Sequence, residues 1–253
     1  MKTRNEKQKK RRLKMMRIRA AAVLVLAAAA AAALLFVTPL FNIRSISVSG
    51  NNVVTLEQID ACIGDIAGKN LFSIWSSTIE KRLKSIAYID EATVSKKLIP
   101  PTVYVNIREC ETAAYFEIEG KQVIINSDLK ILDDSNSFSL EGVPLIRGIE
   151  PERYTVGKRF ELKDTEKLDA LAIFLKTMSD IDRLSGVLYL DLSSITDIKF
   201  NYEGRIDVMC GSTLELDKKL RMFKAVMTSG ALAENTRGTI DISNPEQAVF
   251  DTQ

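Results

Sequence analysis

Ser127-Asp128-Leu129-Lys130 has the S-x-x-K spacing of an acyl-transfer pair, in which a lysine activates the serine three residues before it on a helix. Such enzymes open a helix with that pair and add a K-T-G segment. Here the four residues fall in a hairpin turn and K-T-G is absent. Gly64-x-x-x-Gly68-Lys69-Asn70 has part of a phosphate loop. It is one residue short and carries Asn70 where Ser or Thr would hold magnesium, so it reads as a helix stop and turn. Asp133-Asp134 and Asp180-Ile181-Asp182 are paired acids in loops, without the cleft that glycosidase carboxylates need. The chain has no histidine. That excludes Ser-His and Cys-His triads, imidazole acid–base chemistry and most zinc sites. Cys62, Cys110 and Cys210 are too far apart for a zinc cluster and are odd in number, so buried free thiols are expected, with one bridge left open. No cofactor, metal or small-molecule substrate is implied, and the chain is not expected to be an enzyme. A protein with this inventory should work by contact.

The elements that would position such contacts begin with an uneven charge distribution. Residues 1–19 hold ten Lys/Arg and one acid, whereas the remainder is net −7, so the overall +2 hides a basic tail on an acidic body. Ala20–Val37 is wholly apolar: ten Ala, four Leu, three Val and one Phe. Taken as residues 20–40 it makes a helix of roughly 31 Å, enough for a hydrocarbon core of about 30 Å. A cleaved signal peptide has a shorter apolar core, and a buried core helix would keep a polar face. The reading is a transmembrane helix. The basic flank places the N-terminus in the cytoplasm and residues 41–253 outside, a single-pass type II arrangement. Topology accounts for the basic tail without nucleic-acid binding.

Beyond the anchor the chain reads as α+β. Ile43–Val48 is a strand; Thr55-Leu56-Glu57-Gln58 is a capping box with Leu56, Ile59 and Ile63 at helical spacing behind it. Ser77-Thr78-Ile79-Glu80 reads as a second capping box, ahead of Ile79, Leu83 and Ile86. Strands around Ala92/Val94 and Val103/Val105/Ile107 follow, split by Pro100-Pro101, to give β-α-α-β-β over residues 41–110. Trp75 is expected between the two helices, with a partner surface as the alternative. Residues 111–253 read as a mainly antiparallel β domain with two helices. Its strands are Tyr115–Ile118, Val123–Ile125, Lys130–Leu132, Leu188/Leu190/Leu192, Ile198/Phe200/Tyr202, Ile206/Val208/Cys210 and Thr239–Ser243; its helices are Asp164–Met178 and the face Leu216/Leu220/Phe223/Met227. Pro144 to Gly157 reads as loop and edge. Because Asn244-Pro245 follows it, Thr239–Ser243 is the expected edge strand, open to pairing with another chain.

Three segments carry a resemblance. Ile43-x-x-Ile46-x-Val48-x-Gly50-Asn51, Gly68-Lys69-Asn70-Leu71-Phe72 and Pro101-Thr102-Val103-Tyr104-Val105-Asn106-Ile107-Arg108-Glu109 resemble the POTRA module of the FtsQ/DivIB family of bacterial cell-division proteins. The layout is similar too: basic tail (1–19), transmembrane helix (20–40), POTRA (41–110), β domain (111–253). Gly238-Thr239-Ile240-Asp241-Ile242 looks like the family's last-strand pattern. Ala87, and Cys110-Glu111-Thr112-Ala113, stand where the family usually carries proline. The resemblance implies a non-enzymatic scaffold at the division septum, linking septum formation to peptidoglycan synthesis. It would bind small membrane partners of the FtsB/DivIC and FtsL type through Thr239, Ile240, Asp241, Ile242 and Ser243, with Lys219 and Arg221 offering charge from the neighbouring helix to an acidic partner. The alternative is a POTRA-bearing chaperone or secretion component of the envelope, although such proteins usually carry several modules or a barrel.

Overall fold

The computed structural model describes residues 2–136, 139–230 and 236–252. The chain divides into two compact units: residues up to Leu83 with Glu91–Ile107, and Lys84–Asp90 with Arg108 onward.

The first unit opens with α1 (Lys2–Val37), which runs unbroken from the basic tail into the apolar stretch. Alanine is the best helix former and the tail's Lys, Arg and Met follow closely, so nothing stops the helix before Thr38. Its portion Arg11–Phe36 is long and apolar enough to cross a membrane. A 3-10 turn at Pro39–Phe41 leads into β1 (Ser45–Ser49), α2 (Leu56–Ile63), α3 (Ser76–Leu83), β2 (Ile89–Leu98) and β3 (Pro101–Glu109). The sheet order is β1-β3-β2, with β1 parallel to β3. The Thr55 capping box forms as read from sequence: Thr55 Oγ1 accepts from the Gln58 amide, and Gln58 Oε1 accepts from the Thr55 amide. The second box does not. Helix α3 begins at Ser76, and Glu80 turns instead to β2, where its Oε1 accepts from the Val94 amide at 2.8 Å. Ile59, Ile63, Ile79 and Leu83 on the helices and Val103, Val105 and Ile107 on β3 are all buried. Gly50 closes β1 in a left-handed conformation (φ +84), where a Cβ would fall 1.9 Å from the Ile107 carbonyl oxygen, so no other residue fits. Trp75 is not between the helices. It is 75% exposed, because Leu71 takes the core position and the chain turns outward before α3.

The second unit is built on one nine-stranded sheet, ordered β12-β11-β10-β9-β8-β7-β4-β5-β6. Its strands are β4 (Ala114–Ile118), β5 (Lys121–Ile125), β6 (Ile131–Asp133), β7 (Leu145–Arg147), β8 (Val187–Asp191), β9 (Ile198–Tyr202), β10 (Ile206–Gly211), β11 (Gly238–Asn244) and β12 (Gln247–Thr252). The joins β4–β7, β7–β8 and β10–β11 are parallel and the others antiparallel, so the sheet is mainly antiparallel, as read. Helices α4 (Thr165–Asp180), capped by Asp164, and α5 (Leu216–Thr228) supply the other half of the core. An aromatic file, Phe174–Phe200–Phe223–Tyr202 with centroids 5.1–5.2 Å apart, ties both helices to β9.

Two strand assignments need correcting. The segment from Pro144 is no edge: β7 sits inside the sheet, bridging β4 and β8 with only three residues. Leu188 faces solvent while Leu190 and Leu192 are buried, because the β8–β9 register shifts between Val187 and Tyr189.

All three cysteines are free thiols. Full burial pushes the Cys210 thiol up to about 12 from 9.0. An unfolded chain would release this proton near pH 9 while the folded one keeps it. The stability it contributes is therefore whole below about pH 9 and is lost as pH rises toward about 12. In a thiol-counting titration at neutral pH, Cys210 is expected to react only after denaturant is added; its labelling in the native protein would contradict this packing.

Candidate functional site

The Ser127/Lys130 pair lies in a turn and not on a helix. Lys130 Nζ donates to the Ile89 carbonyl at 3.2 Å, and the turn is held by Asn126 Oδ1, which accepts the amides of Asp128 and Lys130. Gly64 caps α2, and the Gly68 amide donates to the Ile43 carbonyl, a turn and not a phosphate cradle. Of the paired acids, Asp134 accepts from Lys121 and Tyr154, and the Lys121 hydrogen bond is the main cause holding its carboxyl below the usual range. No cluster among the described residues is arranged to hold a metal ion.

What the second unit does present is an unequal pair of sheet ends. At the β6 end the chain covers itself: the Ile131 amide donates to Lys158 O (2.9 Å), the Gly157 amide to Ile131 O (2.8 Å) and the Phe160 amide to Leu129 O (2.7 Å). At the other end β12 pairs with β11 on one side, and among the described residues no strand lies on its outer side.

This corrects the expected edge. Thr239–Ser243 lies in β11, an interior strand between β10 and β12. Pro245 does not end the sheet; Pro245-Glu246 forms a two-residue turn, closed by the pair Asn244–Gln247 and by Asn244 Oδ1 accepting the Glu246 amide. Gly238 lets the hairpin close, since a Cβ there would stand 2.2 Å from the Asp251 carbonyl oxygen. Within β11, Ile240 and Ile242 are fully buried on the helix-facing side and unavailable to a partner, whereas Thr239, Asp241 and Ser243 lie on the other side. Lys219 is not exposed: it is 3% accessible and its ammonium donates to the Ser212 carbonyl at 2.9 Å, fastening the loop ahead of α5. Arg221 does face solvent.

The registers assemble β12 and its neighbours into rows. On the core side Leu190, Phe200, Val208, Ile240 and Phe250 lie in line. On the open side one row reads Asp191, Lys199, Met209, Asp241, Val249, and the next reads Tyr189, Asn201, Asp207, Thr239, Asp251. Arg147 stacks on the Tyr189 ring at 4.1 Å, and Asn201 Nδ2 donates to Asp207 Oδ1 at 2.8 Å, so the middle of this face is internally bonded. Val249 is 56% exposed and stands at the rim beside Asp241 and Asp251. The sequence reading missed β12, although Ala248 and Phe250 alternate with Gln247, Val249 and Asp251 behind a tight turn.

Residues 41–109 match the family model described as POTRA domain, FtsQ-type. Over 214 residues the chain is 26% identical to the cell division protein DivIB of Clostridium botulinum, covering 84% of this chain and 82% of that one. Over most of its length the chain is thus similar to cell-division proteins of the FtsQ/DivIB type. DivIB of Listeria monocytogenes is 25% identical over 83% of this chain and 73% of the relative, and the cell division protein FtsQ of Mycobacteroides abscessus is 24% identical over 84% and 62%. These names support a role in cell division. The matches extend past the POTRA module, so the similarity includes sequence of the second unit.

Proposed function

We propose that this chain is a single-pass scaffold of the division machinery, whose second unit receives a small partner protein by strand addition to β12. The observation that carries this reading is the asymmetry of the nine-stranded sheet, closed over β6 and open at β12. An incoming segment would continue the backbone ladder, and Val249 would join its outward-facing side chains. Asp241 and Asp251 beside Val249 favour neutral or basic residues there, so the acidic partner first expected from Lys219 and Arg221 gives way to a neutral or basic strand. Partners of the FtsB/DivIC and FtsL type suit this role, and Thr239, Asp241 and Ser243 would flank the seam. α1 would anchor the chain with its basic tail in the cytoplasm and both folded units outside, at the septum. With no catalytic constellation among the described residues, the role in this reading is assembly and not turnover.

Photo-crosslinkers placed at Val249 and Asp251 in dividing cells are expected to capture a small membrane protein, and those on Ser135 or Asp180 to capture none. Capture from the control positions alone would overturn the assignment of β12.

A further inference from the structure

In the first unit, the end nearest the anchor carries the wrong surface for water. The last turn of α1 is tied to the folded module: Asn70 Nδ2 donates to the carbonyls of Leu35 (2.8 Å) and Phe36 (3.2 Å). Phe72 sits edge-on to Phe36 and Phe41, with centroids 6.1 and 5.3 Å apart. Asn42 bridges Asn70, the Ile43 amide donates to Lys69 O, and the Arg44 amide donates to Pro101 O. Because β1 runs parallel to β3 from Ser45 opposite Thr102, the turn between β2 and β3 is brought to this same end. Three segments thus meet where α1 finishes: 38–45, 68–75 and 96–102. Each exposes large apolar residues: Leu40 in the first, Phe72 and Trp75 in the second, Leu98 and Ile99 in the third, with Ile99 83% exposed. None contains an acid, while Arg44, Lys69, Lys96 and Lys97 are cationic. Lys96 is already engaged, its ammonium donating to the carbonyls of Leu71 and Ile74.

Exposed aromatic and aliphatic side chains ringed by cations and free of carboxylates are the composition of a membrane–water interface. The occupant is given by continuity with α1: a helix that leaves the hydrocarbon near Phe36 and is capped by Asn70 puts these segments at headgroup depth. We propose that Phe72, Trp75, Leu98 and Ile99 form a collar that seats the POTRA module in the bilayer interface, with Arg44, Lys69 and Lys97 toward lipid phosphates. The collar would fix the module's attitude to the membrane, which a single helix alone does not.

The inference rests on α1 spanning the membrane, and the test separates the two. Trp75 is the only tryptophan, so intrinsic fluorescence of the full chain reports on this one position. The protein is reconstituted into phosphatidylcholine–phosphatidylglycerol vesicles whose acyl chains carry bromine at shallow or deep positions. Blue-shifted emission is expected, quenched more by shallow bromine than by deep bromine or aqueous iodide. Leu98→Asp/Ile99→Asp, at two exposed positions, should shift it to the red and relieve the bromine quenching. Iodide-sensitive emission in vesicle-bound protein would overturn the collar, as would blue-shifted emission that neither quencher reaches, since another protein surface would then cover Trp75. Release of the chain from vesicles by alkaline carbonate would overturn the anchor and the collar with it.

Discussion

Ile240→Asp is expected to abolish cooperative folding of the second unit and not merely to weaken partner binding. Ile240 has no accessible surface and lies between Val208 and Phe250 in the core-side row. Truncating such a residue costs about 2–5 kcal/mol, and an unpaired carboxylate in its place adds several more. Total stabilities run to about 5–15 kcal/mol, so little would remain. Asp241→Lys, one residue away but on the open face, should stay within about 1 kcal/mol of the parent. Circular dichroism melts of the two variants make the comparison. A variant with aspartate at 240 that melts within a few degrees of the parent would refute this placement of β11. It also follows that a charge at Ile240 or Ile242 cannot serve as a clean test of binding, because the fold fails first.

Proline placed in turn at Ala248, Val249, Phe250 and Asp251 is expected to give an alternating result. Successive backbone amides of a strand point to opposite sides. Where the amide faces β11, proline removes a ladder bond and lowers the melting temperature. Where it faces outward, the fold survives and the incoming strand loses its partner, which should weaken binding roughly tenfold or more. Thermal melts and a pull-down of the crosslinked partner read the two effects separately. Four variants that fold and bind alike would rule out strand addition at β12.

The POTRA module was legible in the sequence because its signals are local. Thr55 and Gln58 cap a helix within one turn, Val103, Val105 and Ile107 alternate, and Pro101 opens a strand at the position that tolerates it. The inner rows of the second unit were equally plain at Ile198/Phe200/Tyr202 and Ile206/Val208/Cys210, all buried. The candidate site was less so. Alternation marks Thr239–Ser243 as a strand but not as an interior one, since strand order depends on pairing partners far along the chain, and proline at 245 suits a hairpin turn as well as a terminus. Helical spacing alone puts Lys219 on the surface of its helix, yet the loop at Ser212 folds over it and a carbonyl there accepts from its ammonium.

Composition and periodicity alone therefore determined that this chain has an apolar helix able to span a bilayer, two α+β units and no histidine chemistry. Those are properties of residue type and short-range spacing. Only the tertiary structure decided which strand is left unpaired and which apolar residues stay in water. Both depend on what the rest of the chain brings alongside: β12 hides β11, the 157–160 segment hides β6, and nothing described covers Trp75, Ile99 or the outer side of β12.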